Sequence, residues 1–368
     1  MKVALVGPAS PDRGGIAHQT RLLAQHLGPN LAAYLTFSRR YPRWLDPRRF
    51  DHASEEPSGA PAAAPIFDYA NPASWRATAR VVADSGARAV VIPWWTAFWA
   101  IPVRGFFREL ARAGSPFRVL LCHNVVEHES SLARRWLSAG AFGAADGFIV
   151  HAGGDRDRLS AADLGKPILL LPHAVESRPR PDRREARRRL GVEGPLVLAL
   201  GLVRRYKGIE TLIEAAPAIA RESGAAVAVV GEVFPDARDV AVIARRTPGV
   251  RFVDDYVAEA EMDEWLAACD VVVCPYREVS GSGIVARAIG AGRPVVASDL
   301  PAFREVVTQE TGAFFLAGDA RALAAAVSIV LSRGVDSYRA ALERAAERYS
   351  WQSYADAVAR FAESRGAG

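Results

Sequence analysis

Lysine is nearly missing from this chain. Of 46 basic residues, only Lys2, Lys166 and Lys207 are lysines. Arginine is a planar fork and lysine a compact ammonium on a flexible stem, so each surviving lysine asks for a role. Cysteine is also scarce: Cys122, Cys269 and Cys274 lie in or beside apolar strand-like segments without metal-ligand spacing. That excludes a disulfide framework and predicts reduced core thiols. Long hydrophobic runs are absent too. The longest, AVVIPWWTAFWAIPV (89–103), is broken by Pro93 and Pro102 and falls short of the ~20 residues a bilayer span needs. The opening MKVALVGPAS reads as a strand running into a glycine loop and not as a secretory signal, so a cytoplasmic location is expected.

What is present is enough for two domains: 368 residues, half of them apolar. The net charge of +5 and pI of 9.3 suit an anionic partner, but an arginine-rich composition alone produces both values, and no nucleic-acid partner is expected. Two local clusters say more. SRRYPRWLDPRRF (38–50) interleaves five arginines with Tyr41, Trp44 and Phe50, whereas RPRPDRREARRR (178–189) is basic without aromatics. The first reads as an interfacial patch or a loop with snorkelling arginines, the second as a solvated linker.

Short β-branched runs alternate with longer helical patterns, the signature of parallel strands joined by crossover helices. The fold class is α/β. Strands are predicted at 2–7, 88–92, 118–122 and 147–150, and the pattern restarts with 195–201, 225–231, 250–253, 270–274 and 294–298. The proline-rich, charged stretch 171–191 between them reads as a domain connection. Two doubly wound domains, 1–174 and 175–349, follow, with EEPSGAPAAAP (55–65) as a surface loop. The tail YSWQSYADAVARFAESR (349–365) carries Trp351, Tyr354, Val358 and Phe361 at helical spacing, and the helix is expected to pack on a domain face. Ligands of open parallel sheets bind beyond the carboxyl ends of the strands, so a cleft between the two domains is the expected site.

Four strand-end loops carry candidate chemistry. Gly14 and Gly15 precede a helix whose first amides would face an anion. His123 follows a strand directly, with His128 five residues on. In LGLVRRYKGIETLIEA (200–215), Arg204 and Lys207 stand before a helix, so two cations and helix amides would form a phosphate site. In VVVCPYREVSGSGIVARAIGAGRPVVASD (271–299), SGSG opens a helix straight after a strand, a second anion cradle. The same loop contains Gly281, Gly283 and Ala286 with Asp299 ending the next strand, the spacing of a dinucleotide fingerprint, which keeps an NAD(P)-dependent oxidoreductase open. Asp155 and Asp157, and the pair Asp254 and Asp255, have no third ligand nearby and read as solvated charge.

Taken together and in this order, the glycine pair, the strand-end histidine in HNVVEHE, the turn in GLVRRYKG, the segment SGSGIVARAIGAGRPVVAS and the closing YSW helix resemble the retaining nucleotide-sugar glycosyltransferases of family 4. The resemblance covers nearly the whole chain. It implies the GT-B fold, two Rossmann-like domains, and transfer of a sugar from a nucleoside diphosphate to a glycan, glycolipid or other acceptor with no cofactor and no metal. It implies Arg204 and Lys207 on the donor diphosphate, with Ser282, Gly283 and Ile284 at the same group and Gly231, Tyr256 and Glu278 also on the donor side. Gly14 and Gly15 would close over the donor, His123 would sit beside the transferred sugar, and the closing helix, 350–368, would pack back on the first domain. Arg39, Arg40, Arg43, Trp44 and Trp95 are the acceptor or membrane side, with Trp94, Phe98 and Trp99 as neighbours, at a peripheral position on the inner membrane face.

One departure from the family stands out. Its members carry two glutamates around the glycine loop, the second on the donor ribose, but the matching helix position here is Ala288, with Glu278 as the nearby substitute. That departure keeps open a nucleotide-sugar binding or regulatory protein with weak catalysis.

Overall fold

The computed structural model describes residues 2–9, 12, 14–42, 61–114, 116–125, 132–177 and 181–364. Two compact units divide the chain: 1–171 with 351–368, and 172–350.

In the first unit the strands are β1 (Val3–Val6), β2 (Leu31–Arg39), β3 (Ala64–Asp68), β4 (Ala89–Trp94), β5 (Phe117–Cys122), β6 (Gly147–Val150) and β7 (Ile168–Leu170). Its helices are α1 (Gly15–Leu27), α2 (Pro72–Asp84), α3 (Ala100–Arg112), α4 (Leu132–Ala144) and α5 (Gly153–Ala161). The strands form one parallel sheet in the order β3-β2-β1-β4-β5-β6-β7. β1 and β4 are buried along their whole length, as strands covered on both faces must be. Local chemistry starts the helices: Asn71 caps α2 by accepting from the Ala73 amide at 3.1 Å, with Pro72 in the first turn, where its missing N–H costs nothing.

The second unit opens on α6 (Arg183–Leu190) and continues β8 (Leu196–Leu200), α7 (Ile209–Ser223), β9 (Ala226–Val230), α8 (Arg238–Arg246), β10 (Val250–Val253), α9 (Glu259–Ala268) and β11 (Val271–Cys274). It closes with α10 (Gly283–Gly290), β12 (Val295–Ser298), α11 (Pro301–Arg304), β13 (Gly312–Phe315), α12 (Ala320–Arg333) and α13 (Arg339–Arg348). This sheet is also parallel, in the order β10-β9-β8-β11-β12-β13. The last helix, α14 (Trp351–Glu363), belongs to the first unit. There it lies beside α1, with Trp351 stacked on His26 and Phe361 edge-on to Phe117.

The α/β reading holds, and four strands that it did not predict appear: β2, β3, β7 and β13. β3 starts at Ala64, inside the stretch read as a surface loop; the rest of that loop up to residue 60 lies outside the described residues. The basic stretch read as a solvated linker needs correction. Its second half is α6, capped by Asp182 and ended by Gly191 in the left-handed region. Two of its arginines are structural. Arg183 and Arg187 donate to the carboxylate of Asp270 at 2.6 and 3.3 Å, and Asp270 also accepts from the Leu196 amide at 2.8 Å. One carboxylate therefore ties α6 to the starting ends of β8 and β11. Another correction concerns Asp155, which is buried and paired with Arg158 at 2.9 Å, so it is not solvated charge. All three cysteines are free and buried.

Because Asp270 joins three elements, Asp270→Ala should destabilise the second unit by about 2–3 kcal/mol, the scale for removing a partly buried charged acceptor. Urea unfolding of the variant against the parent measures it. A loss under about 0.5 kcal/mol, the range of ordinary surface changes, would show that solvent already screens the pairing.

Candidate functional site

A parallel sheet opens a crevice where its strand order reverses. In the second unit that point lies between β8 and β11. The loop after β8 carries Gly201, Arg204 and Lys207, and the loop after β11 carries Tyr276, Glu278 and the glycine-serine turn. The two loops are locked together by backbone. Gly208 has φ +58°, and a Cβ there would meet the Pro275 carbonyl at 2.2 Å. The Arg277 amide donates to the Tyr206 carbonyl at 2.8 Å. Only glycine permits this approach, so the turn that presents Lys207 is clamped onto the end of β11.

Lys207 is only 8% exposed. Its Nζ lies 5.5 Å from the centre of the Tyr276 ring and near Gly201, whose Cα-facing space it shares with the Ile284 side chain. Ile284 is in the first turn of α10, whose start is capped by Ser282 accepting from the Val285 amide at 3.4 Å. The lysine therefore sits among an aromatic face and the positive end of a helix. No carboxylate among the described residues forms an ion pair with it. Burial pushes its pKa down to about 8, with lesser contributions from Cys274, which opposes the shift, and from Arg204, which adds to it. Arg204 lies at the mouth of the same turn, with its guanidinium 4.5 Å above the Phe234 ring and Nε 3.7 Å from Asp236.

The remaining donor-side candidates divide. Gly283 is exposed at the start of α10, Ser282 and Ile284 are half-buried beside it, and Glu278 is exposed on the same loop. Gly231, at the end of β9, has φ +152° and a Cβ would meet the Gly201 carbonyl at 2.2 Å; its glycine is required by packing of the two strand ends. Tyr256 is exposed after β10, with its amide on the Asp255 carboxylate at 2.7 Å. Ala288 is fully buried in the core. A longer side chain there would enter the packing and not reach a ligand, which corrects the register that set it in the place of a ribose-binding glutamate. Its neighbour Arg287 pairs with Glu259 at 2.8 Å. The dinucleotide fingerprint loses its acidic member, because Asp299 is held by both nitrogens of the Arg304 fork.

In the first unit, His123 follows β5 and donates its amide to the Trp94 carbonyl at 2.8 Å. Because Cys122 pairs with Val150 across β5 and β6, the residues that follow these strands come side by side. His151 is the second of them, 5.1 Å from His123 between ring centres. Burial drives His123 well below the usual histidine range, and the neighbouring His151 adds to this. His151 falls to about 4, chiefly through burial, against a hydrogen bond with the Leu171 carbonyl at 3.0 Å. Both rings are neutral at physiological pH. Gly14, at φ +108°, and Gly15 are exposed at the start of α1, which has no side-chain cap.

The expected acceptor patch is only partly an outer surface. Trp94 and Trp99 are buried in the core, which corrects their placement as interfacial neighbours. Trp95 is half-buried and donates to the Tyr41 hydroxyl at 2.9 Å; Arg40 pairs with Asp12 at 3.3 Å and Arg39 with Asp68 at 3.0 Å. Arg43, Trp44 and His128 lie outside the described residues. Among the described residues no three His, Cys, Asp or Glu side chains gather as a metal site, and no helix is long and apolar enough to cross a membrane. Sequence reasoning missed His151, Tyr276 and Asp236. His151 had a usable signal, since it ends a strand just as His123 does. Tyr276 and Asp236 had none beyond their loops.

Residues 194–333 match the family described as Glycosyl transferases group 1. A phosphatidyl-myo-inositol mannosyltransferase of Mycobacterium leprae is 38% identical over 119 residues, covering 31% of this chain and 32% of that protein. A D-inositol 3-phosphate glycosyltransferase of Xylanimonas cellulosilytica is 30% identical over 223 residues, 55% of this chain and 52% of that one. The chain thus spans about a third to a half of the length of these curated relatives. Among solved structures, Anabaena Alr3699/HepE in complex with UDP and glucose superposes with a TM-score of 0.74 at 15% identity, over 99% of this chain and 100% of that one. Sucrose-phosphate synthase from Thermosynechococcus elongatus gives 0.72 at 18%, with 99% of each chain covered.

A buried ammonium without a carboxylate weakens the empty protein. With the folded pKa near 8 against the usual lysine value of 10.5, the penalty is fully present below pH 8 and fades as pH rises towards 10.5, because the folded state sheds its proton first. Lys207→Met should therefore stabilise the ligand-free protein by up to about 3 kcal/mol at neutral pH, at 1.36 kcal/mol per pKa unit. The gain should shrink between about pH 8 and 10. Thermal melts of both proteins across that range check it; an equal or lower Tm for Lys207→Met at neutral pH would mean that the lysine is already compensated.

Proposed function

We propose that the protein transfers a sugar from a nucleoside diphosphate to an acceptor hydroxyl, a reading supported by the match of residues 194–333 to the group 1 glycosyl transferases and by the GT-B fold of its structural neighbours. The observation that carries the reading is Lys207, a buried ammonium beside the start of α10 with no carboxylate of its own. A diphosphate supplies the missing counter-charge. It would lie against Arg204, Lys207 and the amides at Ser282, Gly283 and Ile284, as anions do at helix starts. The UDP in the Anabaena neighbour supports a nucleotide-sugar donor. The Mycobacterium relative, named for phosphatidyl-myo-inositol, supports a lipid-linked glycan or glycolipid acceptor. No metal is required in this reading, because two cations and helix amides cover the diphosphate charge.

In the reaction the bond between the anomeric carbon and the diphosphate oxygen breaks and negative charge grows on the diphosphate. The acceptor oxygen bonds to the anomeric carbon from the same face, so configuration is retained. The acceptor proton passes to the departing phosphate oxygen. Only groups that hold the growing charge better than the ground state accelerate this step. Lys207 fits, since its stem lets the ammonium follow a moving phosphate and the diphosphate returns its pKa upwards. Arg204 presents a fork to two oxygens. His123, neutral, is assigned a hydrogen bond to the transferred sugar, and Gly14 and Gly15 leave the start of α1 open to the donor. Glu278 is the carboxylate of the glycine loop assigned to the donor.

Thermal melts with UDP, GDP, ADP and NAD test the donor class. A nucleoside diphosphate present at about 100 times its Kd should add ~2.7 kcal/mol, whereas stabilisation by NAD alone would sink the reading. Binding without transfer to any acceptor in a mass-detected panel would leave a nucleotide-sugar binding protein. Lys207→Ala should lose ~10²-fold or more in kcat, the scale of removing one preorganised stabiliser. Lys207→Arg should recover only part. Full kcat in Lys207→Arg would show that charge alone suffices.

His123→Ala should lower kcat by ~10²-fold while nucleotide affinity and Tm change little. Because burial keeps both His123 and His151 neutral, the pH-rate profile should show no histidine limb between about pH 5 and 7. Activity that falls as pH rises through the ordinary histidine pKa, with that limb absent in His123→Ala, would instead make the imidazolium the working form.

A further inference from the structure

Helices α3 and α4 of the first unit share an outer face that the core does not use. On α3 the buried positions are Ala100, Pro102, Val103, Phe106, Phe107 and Leu110. Ile101, Arg104 and Arg108 fall on the other side, three and four residues apart, which places them on one stripe. All three are exposed, Ile101 at 62%. On α4 the corresponding residue is Trp136, 76% exposed. One turn further on, a Cβ at Gly140 would meet Arg104 Nη1 at 3.4 Å, so the Arg104 guanidinium lies across the α4 surface that also bears Trp136. The two stripes are one surface.

Its charge has one sign. Among the described residues neither Arg104 nor Arg108 has an ion-pair partner. The only carboxylate on α3, Glu109, is held by Arg76 at 3.2 Å and Arg112 at 2.5 Å. The α4 sequence contains no acid. An exposed tryptophan and isoleucine flanked by Arg104 and Arg108, which have no ion-pair partner among the described residues, fit a surface that is anionic outside and apolar beneath. We propose that this face binds an anionic lipid bilayer, with Trp136 and Ile101 at the headgroup boundary and the arginines on lipid phosphates. A nucleic acid would leave Ile101 without a partner, and a second copy would set arginines against arginines. The inference stands on surface chemistry and not on the donor reading. In the proposed reaction it would hold the enzyme where a lipid-linked acceptor resides.

The full chain is sedimented with phosphatidylcholine vesicles, with and without phosphatidylglycerol, at low and high salt. Binding is expected only with phosphatidylglycerol and is lost at high salt, as the Debye length contracts. Arg108→Ala should weaken the partition about fivefold, the share of one basic residue at an anionic surface. Trp136→Ala should weaken it at least as much, with unchanged melts because both side chains are exposed. Arg221→Ala, an equal loss of charge in the second unit, should leave it unchanged. No binding to phosphatidylglycerol vesicles, binding to phosphatidylcholine alone, equal loss in Arg221→Ala, or a Trp136→Ala effect on oligomeric mass in place of lipid binding would each overturn the proposal. Nucleotide binding is read in the same preparations, so failure of the lipid claim is distinguishable from failure of the donor reading.

Discussion

The second unit is organised around an ammonium almost wholly withdrawn from water. Lys207 reaches its position because Gly208 lets the chain turn against the Pro275 carbonyl, where any Cβ would collide. Once there it is held by the Tyr276 ring and by the packing of Gly201 against Ile284, and none of these neighbours returns a full negative charge. Burial without a counter-ion is costly, so the site is unstable towards its own charge until an anion arrives. The same burial that weakens the empty protein gives a bound phosphate a strong partner, because a charge pair shielded from water interacts far more strongly than one in solvent.

The strand-and-crossover pattern was legible because strands covered on both faces must be almost wholly apolar, and β1, β4, β8, β9 and β11 are. The four strands that escaped notice lack that signature. β2 is only half-buried and opens on Leu-Ala-Ala, β3 carries Pro65, β7 has three residues, and β13 opens on glycine. The loops that bear chemistry were legible for a related reason: a strand end followed by glycine and a cation is visible locally. The partners of those residues were not, because they come from other strands. Asp236 beside Arg204, and His151 beside His123, are fixed by strand order and register. The aromatic run at 94–99 shows the converse limit. A row of tryptophans reads equally as an interface or as a core, and here Trp94 and Trp99 fill the core, leaving only Trp95 and Phe98 partly accessible.

The arginine clusters divide by partner and not by density. α6 is as basic as any segment in the chain, yet Arg183 and Arg187 are consumed by Asp270 and by the Ala268 and Cys269 carbonyls just before β11. The face of α3 and α4 is less conspicuous in sequence, but Arg104 and Arg108 there have no acid to satisfy them among the described residues. Counting charges along the chain cannot separate these cases, because a guanidinium forked onto a carboxylate contributes to architecture and an unpaired one contributes to the field outside.

The scarcity of lysine follows from the same division. Arginine serves wherever a planar fork meets a fixed carboxylate, as at Asp146, Asp239 and Asp270. The three lysines sit where no such fork fits. Lys2 donates to the Pro29 carbonyl at 2.8 Å, and Lys166 reaches the Phe142 and Gly143 carbonyls at 2.9 and 2.7 Å, satisfying the end of α4. Both use a small head with several donors against backbone oxygens that a rigid plane would meet less well. Lys207 shares the shape requirement but lacks the carbonyls. Its space, bounded by Gly201, Ile284 and Tyr276, admits a compact ammonium, and a guanidinium there would press on the Ile284 side chain and the ring. A composition that excludes lysine elsewhere thus retains it where the charge must be narrow, and at Lys207 that charge has no acceptor among the described residues.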